Sequence, residues 1–166
     1  MSRWSTKDST DDYYSIDTKF LKKHRYFESA GMRSGLVSWS RGGEVRSSVG
    51  IEVWIDTTDG KIRFQYTSTD RSSGEKTERD YTAQLVSTPC NYGGVRWWFI
   101  CPLVRNSILC QRRVGVLYLG SAYFGCRHCF DLVYQSSKDS HKMDGFFWSM
   151  GINPKIGKKI LAERLR

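Results

Sequence analysis

Ile51-Glu-Val-Trp-Ile-Asp-Thr-Thr-Asp-Gly-Lys-Ile-Arg-Phe-Gln-Tyr66 decides the fold class. Ile51, Val53 and Ile55 alternate with Glu52, Trp54 and Asp56, and Ile62, Phe64 and Tyr66 alternate with Arg63 and Gln65. A period of two sends successive side chains to opposite faces, so each run predicts a strand with one buried and one wet face. Asp59-Gly60 separates the runs and predicts the hairpin turn, because both residues tolerate positive φ. Alternation already begins at Leu36, and it returns at Tyr81, Ala83 and Leu85 after a Ser/Gly-rich loop over 71–75. The expectation is an antiparallel meander. Upstream, Ile16, Phe20, Leu21, His24 and Phe27 recur at helical spacing behind Ser15, a capping residue, so a helix is predicted over 15–27. Residues 1–14 are polar and read as a flexible N-terminus.

The chain has 166 residues, of which 39% are hydrophobic, enough to bury a core without staples. No run of roughly 18 apolar residues predicts a membrane helix. Met1–Asp12 has no apolar leader, so a cytoplasmic chain is expected. The net charge of +9 is uneven. Residues 90–135 hold five basic side chains against one acidic, and 136–166 hold seven against three. A basic excess of this kind predicts a polyanionic partner.

The five cysteines are Cys90, Cys101, Cys110, Cys126 and Cys129. An odd number in a chain without a leader favours metal binding over disulfides. The spacing Cys101-x8-Cys110-x15-Cys126-x2-Cys129 holds one tight knuckle, Cys126-Arg-His-Cys129, whose two thiolates can reach one ion. Zn2+ accepts four sulfurs in a tetrahedron, and such a closed site is structural. Between the pairs, 114–119 and 122–124 read as two strands around Gly120-Ser121, the layout of a zinc ribbon. The x8 spacing is long, so the loop Pro102–Leu109 must bulge out and return Cys110. Cys90 is the alternative ligand, but a strand over 95–100 carries it away from Cys101. It is expected as a small buried hydrophobe. His128, inside the knuckle, is expected to point outward as a surface contact.

Thr88-Pro-Cys-Asn-Tyr-Gly-Gly-Val-Arg-Trp-Trp-Phe-Ile-Cys-Pro102, Cys110-Gln-Arg-Arg-Val-Gly-Val-Leu-Tyr-Leu119 and Tyr123-Phe-Gly-Cys-Arg-His-Cys-Phe-Asp-Leu-Val-Tyr134 resemble an uncharacterised family of bacterial and mobile-element zinc-ribbon proteins. Ser38-Trp-Ser-Arg-Gly-Gly-Glu44 is similar to that family's N-terminal part. The resemblance spans about residues 15–137 and departs at Gln111, where glycine is expected, and beyond Ser137. It implies structural Zn2+ at Cys101, Cys110, Cys126 and Cys129, and no established biochemical activity.

On a strand through Arg96-Trp97-Trp98-Phe99, Trp97 and Phe99 share one face, and Arg96 and Trp98 the other. Arg96, Trp98, Arg112, Arg113, Arg127 and His128 are therefore candidate contacts for nucleic acid or for a partner protein. Asn153-Pro154 predicts a helix start. Beyond it Ile156, Ile160, Leu161 and Leu165 lie on one side, and Lys155, Lys158 and Lys159 on the other. No nucleophile elbow, P-loop, H-E-x-x-H or G-x-G-x-x-G pattern occurs.

The expected architecture is mainly β (α+β): an N-terminal helix and meander over 15–89, a zinc ribbon packed on that sheet over 90–137, and a basic tail over 138–166. The expected function is non-enzymatic binding of nucleic acid, with no membrane and no small-molecule substrate. Two alternatives stand beside it. One is a phage or mobile-element module that inhibits a host nucleic-acid-binding or defence complex. The other is a metal-dependent nuclease built from dispersed carboxylates.

Overall fold

A computed structural model describes residues 7–70, 73–120, 122–142, 144–156 and 159. The chain is mainly β, with antiparallel sheets and a few short helices. It divides into two compact units, one over 13–130 and one combining 1–12 with 131–166.

In the larger unit the elements are β1 (Ser15–Asp17), α1 (Thr18–Lys23), β2 (Gly31–Arg41), β3 (Glu44–Ile55), β4 (Asp59–Thr69), β5 (Lys76–Pro89), β6 (Val95–Ile100), β7 (Val104–Arg105), β8 (Ile108–Leu109), β9 (Arg113–Val114), β10 (Val116–Leu119) and β11 (Phe124–Gly125). A curled six-stranded sheet runs in the order β2-β3-β4-β5-β6-β9. A three-stranded sheet, β1-β10-β11, shares its core. The alternating residues that announced the meander are the ones buried: Ile51, Val53, Ile55, Ile62, Phe64, Ala83 and Leu85. Their neighbours Glu52, Trp54, Lys61 and Gln84 share the opposite, outer face.

Two local expectations are corrected. The segment Ser15–Asp17 is a strand, paired with Val116–Tyr118, and the helix is only Thr18–Lys23. Asp17, not Ser15, is the cap, its carboxylate accepting from the Lys19 N–H at 2.6 Å. Arg25, at φ 63°, ends the helical path before Phe27. Ile16 is buried as the 3.6-residue pattern requires, but a strand register buries it equally well. The hairpin turn also lies earlier than Asp59-Gly60. The Asp56 N–H donates to the Asp59 carbonyl at 2.8 Å, and Gly60 pairs with Ile55 within the strands. Gly60 is needed for close approach, since a Cβ there would stand 2.5 Å from the Trp54 carbonyl oxygen.

The two sheets are tied by a polar relay inside an aromatic cluster. Phe124 stacks on Phe64 at 4.7 Å between ring centroids. Its backbone N–H donates to Tyr81 Oη at 2.7 Å. Tyr81 Oη lies 3.1 Å from Tyr66 Oη, which donates to the Ala122 carbonyl at 2.6 Å. Aligned dipoles in such a chain reinforce one another. Tyr81→Phe leaves the Phe124 N–H without its acceptor, so a loss of about 1–3 kcal/mol is expected in denaturant unfolding. Burial pushes both tyrosines above their ordinary range. The unfolded chain therefore ionises them first, and stability is expected to fall as pH rises through about 10.

In the smaller unit, the Ser9–Val133 bridge and the Thr10 N–H to Val133 carbonyl bond at 2.9 Å hold the N-terminal segment beside residues 131–133. Helices α2 (Gln135–Lys142) and α3 (Asp144–Ser149) follow. Asn153 then caps the next turn, accepting from the Lys155 N–H at 3.0 Å, as the Asn-Pro pair predicts. Residues 154–156 are helical. Lys158 and the apolar positions 160, 161 and 165 lie outside the described residues.

Candidate metal centre

The sulfurs of Cys101, Cys110, Cys126 and Cys129 all lie within 4.8 Å of one another. Cys101–Cys129 is 3.8 Å, Cys110–Cys126 is 3.7 Å and Cys126–Cys129 is 3.6 Å. A tetrahedron with metal–sulfur bonds of about 2.3 Å has edges of about 3.8 Å, so the four thiols fit one ion at its centre. None of these pairs is a disulfide.

Local structure explains how x8 closes the site. After Cys101-Pro102-Leu103 the chain enters the hairpin β7–β8, with Val104 opposite Leu109 and Arg105 opposite Ile108. Asn106 and Ser107 take φ 52° and 62°, the two positive values a two-residue type I′ turn requires. The Cys110 N–H then donates to the Leu103 carbonyl at 2.8 Å. Leu103 and Cys110 thus meet as if adjacent, and the loop between them is an ornament on an ordinary knuckle. Gln111, where glycine was expected, takes the left-handed φ of 49°. In the second knuckle, the Cys129 N–H donates to the Cys126 carbonyl at 3.0 Å. The Cys126 N–H reaches Cys101 Sγ at 3.3 Å and so ties one knuckle to the other. Gly125 admits the first knuckle, since a Cβ there would stand 2.1 Å from Leu103 Cδ1.

The four thiols hydrogen-bond to one another. Hydrogen bonding from Cys101 pulls Cys126 down to about 4 against the penalty of burial. The same hydrogen bond, together with burial, raises Cys101 above its ordinary range. Burial pushes Cys129 up to about 12. A divalent ion replaces these protons, so binding releases them to solvent.

Cys90 is not among the four. It is exposed, in a turn where its N–H donates to the Gly94 carbonyl at 3.0 Å, which corrects the expectation of a buried hydrophobe. The turn before β6 keeps it out of the core, a placement no local pattern announces.

The candidate contact residues separate into groups. Trp97 and Phe99 are buried, with Trp97 stacked on Phe27 at 5.1 Å. Trp98 is on the outer face, its indole N–H donating to Thr88 Oγ1 at 2.9 Å. The Arg96 guanidinium lies 4.0 Å from the Trp98 ring centroid and that of Arg113 lies 5.7 Å away. Arg112 is exposed, and its carbonyl accepts from the Cys101 N–H at 2.9 Å. Arg127 is half-buried in the second knuckle, and His128 is exposed there, as expected. Lys155 and Lys159 are exposed and belong to the smaller unit. Sequence reasoning missed Arg105, whose Nη1 donates to the His128 carbonyl at 3.2 Å across the knuckles. The signal was available: from Tyr81 to Phe130 there is no aspartate or glutamate, while five arginines occur.

No helix among the described residues is long and apolar enough to cross a membrane. Comparison with protein families, curated proteins and solved structures gives no match for this chain.

Proposed function

We propose that the chain is a zinc-ribbon protein of the family it resembles, whose metal centre stiffens a surface that binds nucleic acid without catalysis. A four-thiolate set suits Zn2+, which is borderline-soft and imposes no geometry beyond the tetrahedron. All four positions are taken by protein, so the ion's role is to hold the knuckles and the strands attached to them. The observation that carries the binding reading is the Arg96–Trp98–Arg113 cluster. Two guanidinium groups flank an indole on an open sheet face, within a stretch of chain that has no carboxylate. Guanidinium groups neutralise phosphates, and an aromatic ring offers a base a stacking surface.

Binding that rests on phosphate contacts weakens steeply with salt. The logarithm of affinity for an oligonucleotide is expected to fall linearly with the logarithm of salt concentration. Arg96→Ala and Arg113→Ala should each reduce that slope by about 0.7–0.9. Fluorescence anisotropy over a salt series measures it. Absence of binding to DNA and RNA at low salt overturns the reading.

A further inference from the structure

Trp98 has a counterpart. Trp54 lies on the same outer face of the six-stranded sheet, with Lys61 Nζ 5.0 Å from its ring centroid. The register places them. Trp54 pairs with Lys61, Lys61 with Gln84, and Val86, two residues along from Gln84, pairs with Trp98. Between the two tryptophans, on that face, stand Lys61 and Asp59 of β4 and Gln84 and Val86 of β5. Lys61 lies against the Trp54 ring, and Arg96 and Arg113 against that of Trp98. Besides Asp59, the nearest carboxylates on this face along β3 and β5, Glu52 and Asp80, are both held by Arg63, at 3.1 Å and 2.5 Å. An open basin of about 490 Å³ lies beside Trp54, lined also by Asp56, Asp59, Lys61, Thr82 and Gln84.

We infer that this face takes a single strand of nucleic acid, one base at Trp98 and another at Trp54, with Lys61 on the phosphates between. The inference rests on the nucleic-acid reading and adds substrate class and a second subsite. Three strand spacings and two residues of offset separate the two positions by roughly 14 Å across the strands and about 7 Å along them. Neighbouring bases in a stacked duplex are only about 3.4 Å apart, so a duplex cannot offer one base to each ring. A splayed strand can, because its bases are unstacked and every base has a face to offer. The cations do not block the rings, since a base can stack on a guanidinium plane as well as on an indole. Asp56, in the turn beyond Trp54, and Asp59, at the head of β4 opposite Val86, place two carboxylates at the hairpin end of this face, so the strand crosses on the Lys61–Gln84 side of them.

The test uses the full-length, metal-loaded chain, with oligothymidylate of about 12 nucleotides and a mixed-sequence duplex of equal length as probes. The single strand is expected to bind about tenfold tighter or better than the duplex. Trp54→Ala should weaken single-strand binding about tenfold and leave duplex binding unchanged, while Trp54→Phe retains most of it. Trp54 is outside the core, and unchanged thermal unfolding of the alanine variant verifies its fold. Equal affinity for duplex and single strand overturns the inference. So does a Trp54→Ala variant that binds normally while Arg96→Ala is impaired, and in that case the broader reading stands. If neither probe binds the unaltered chain, both fall together.

Discussion

Cys126→Ser is expected to yield protein that retains less than about a tenth of an equivalent of metal after purification, against one equivalent for the unaltered chain. Cys126 is fully buried and within 3.7 Å of both Cys110 and Cys129 sulfurs, so its loss leaves no tetrahedron to close. Structural zinc contributes about 10–16 kcal/mol of apparent binding energy in small domains, comparable to or larger than the net stability of most domains, about 5–15 kcal/mol. The region 101–130 should therefore lose its fixed structure, seen as loss of near-ultraviolet dichroism and as proteolysis between the knuckles. A chelator added to the unaltered protein should produce the same changes. Acid should do so as well. Each thiolate must take up a proton before the metal leaves, so stability linked to the ion is present at neutral pH and is lost as pH falls. Elemental analysis is decisive: a Cys126→Ser variant that still carries one equivalent removes the four-cysteine site.

Phe64→Ala is expected to cost about 3–5 kcal/mol in chemical denaturation. Phe64 is completely buried on the inner face of β4, stacked on Phe124 of the second sheet and 5.4 Å from the Tyr81 ring. Removing its ring opens a cavity where the two sheets meet, and β-sheet backbones cannot collapse far to fill it. The loss should exceed that for Tyr81→Phe, which deletes one acceptor and no volume. A cost below about 1 kcal/mol would mean the sheets do not share this core.

The meander was legible because its side chains solve one problem, burial on one face, and Ile51 to Leu85 repeat the solution with a period of two. The metal set was legible because only thiols at knuckle spacing read as a local site. Other features depend on contacts that sequence spacing does not encode. Ser15–Asp17 is a strand because β10, a hundred residues later, supplies the hydrogen-bond partners, and this outweighs helical spacing in a six-residue helix. Gly60 reads as a turn residue by propensity, yet its task is to let the Trp54 carbonyl pass. Cys110 was the doubtful ligand because eight intervening residues look like slack, whereas six of them fold back on themselves. The Trp54 subsite was invisible for a related reason: its relation to Trp98 runs through three strand pairings and not along the chain.

The hairpin inside the first knuckle joins the body at its stem, where Cys110 closes on Leu103, and through Arg105 on the His128 carbonyl, while its tip at Asn106-Ser107 lies beyond both. Its length is thus decoupled from the coordination geometry. A foreign peptide spliced at Asn106-Ser107, such as an epitope or a dye-binding tag, can be carried there as cargo, and the metal content of the fusion should match that of the parent.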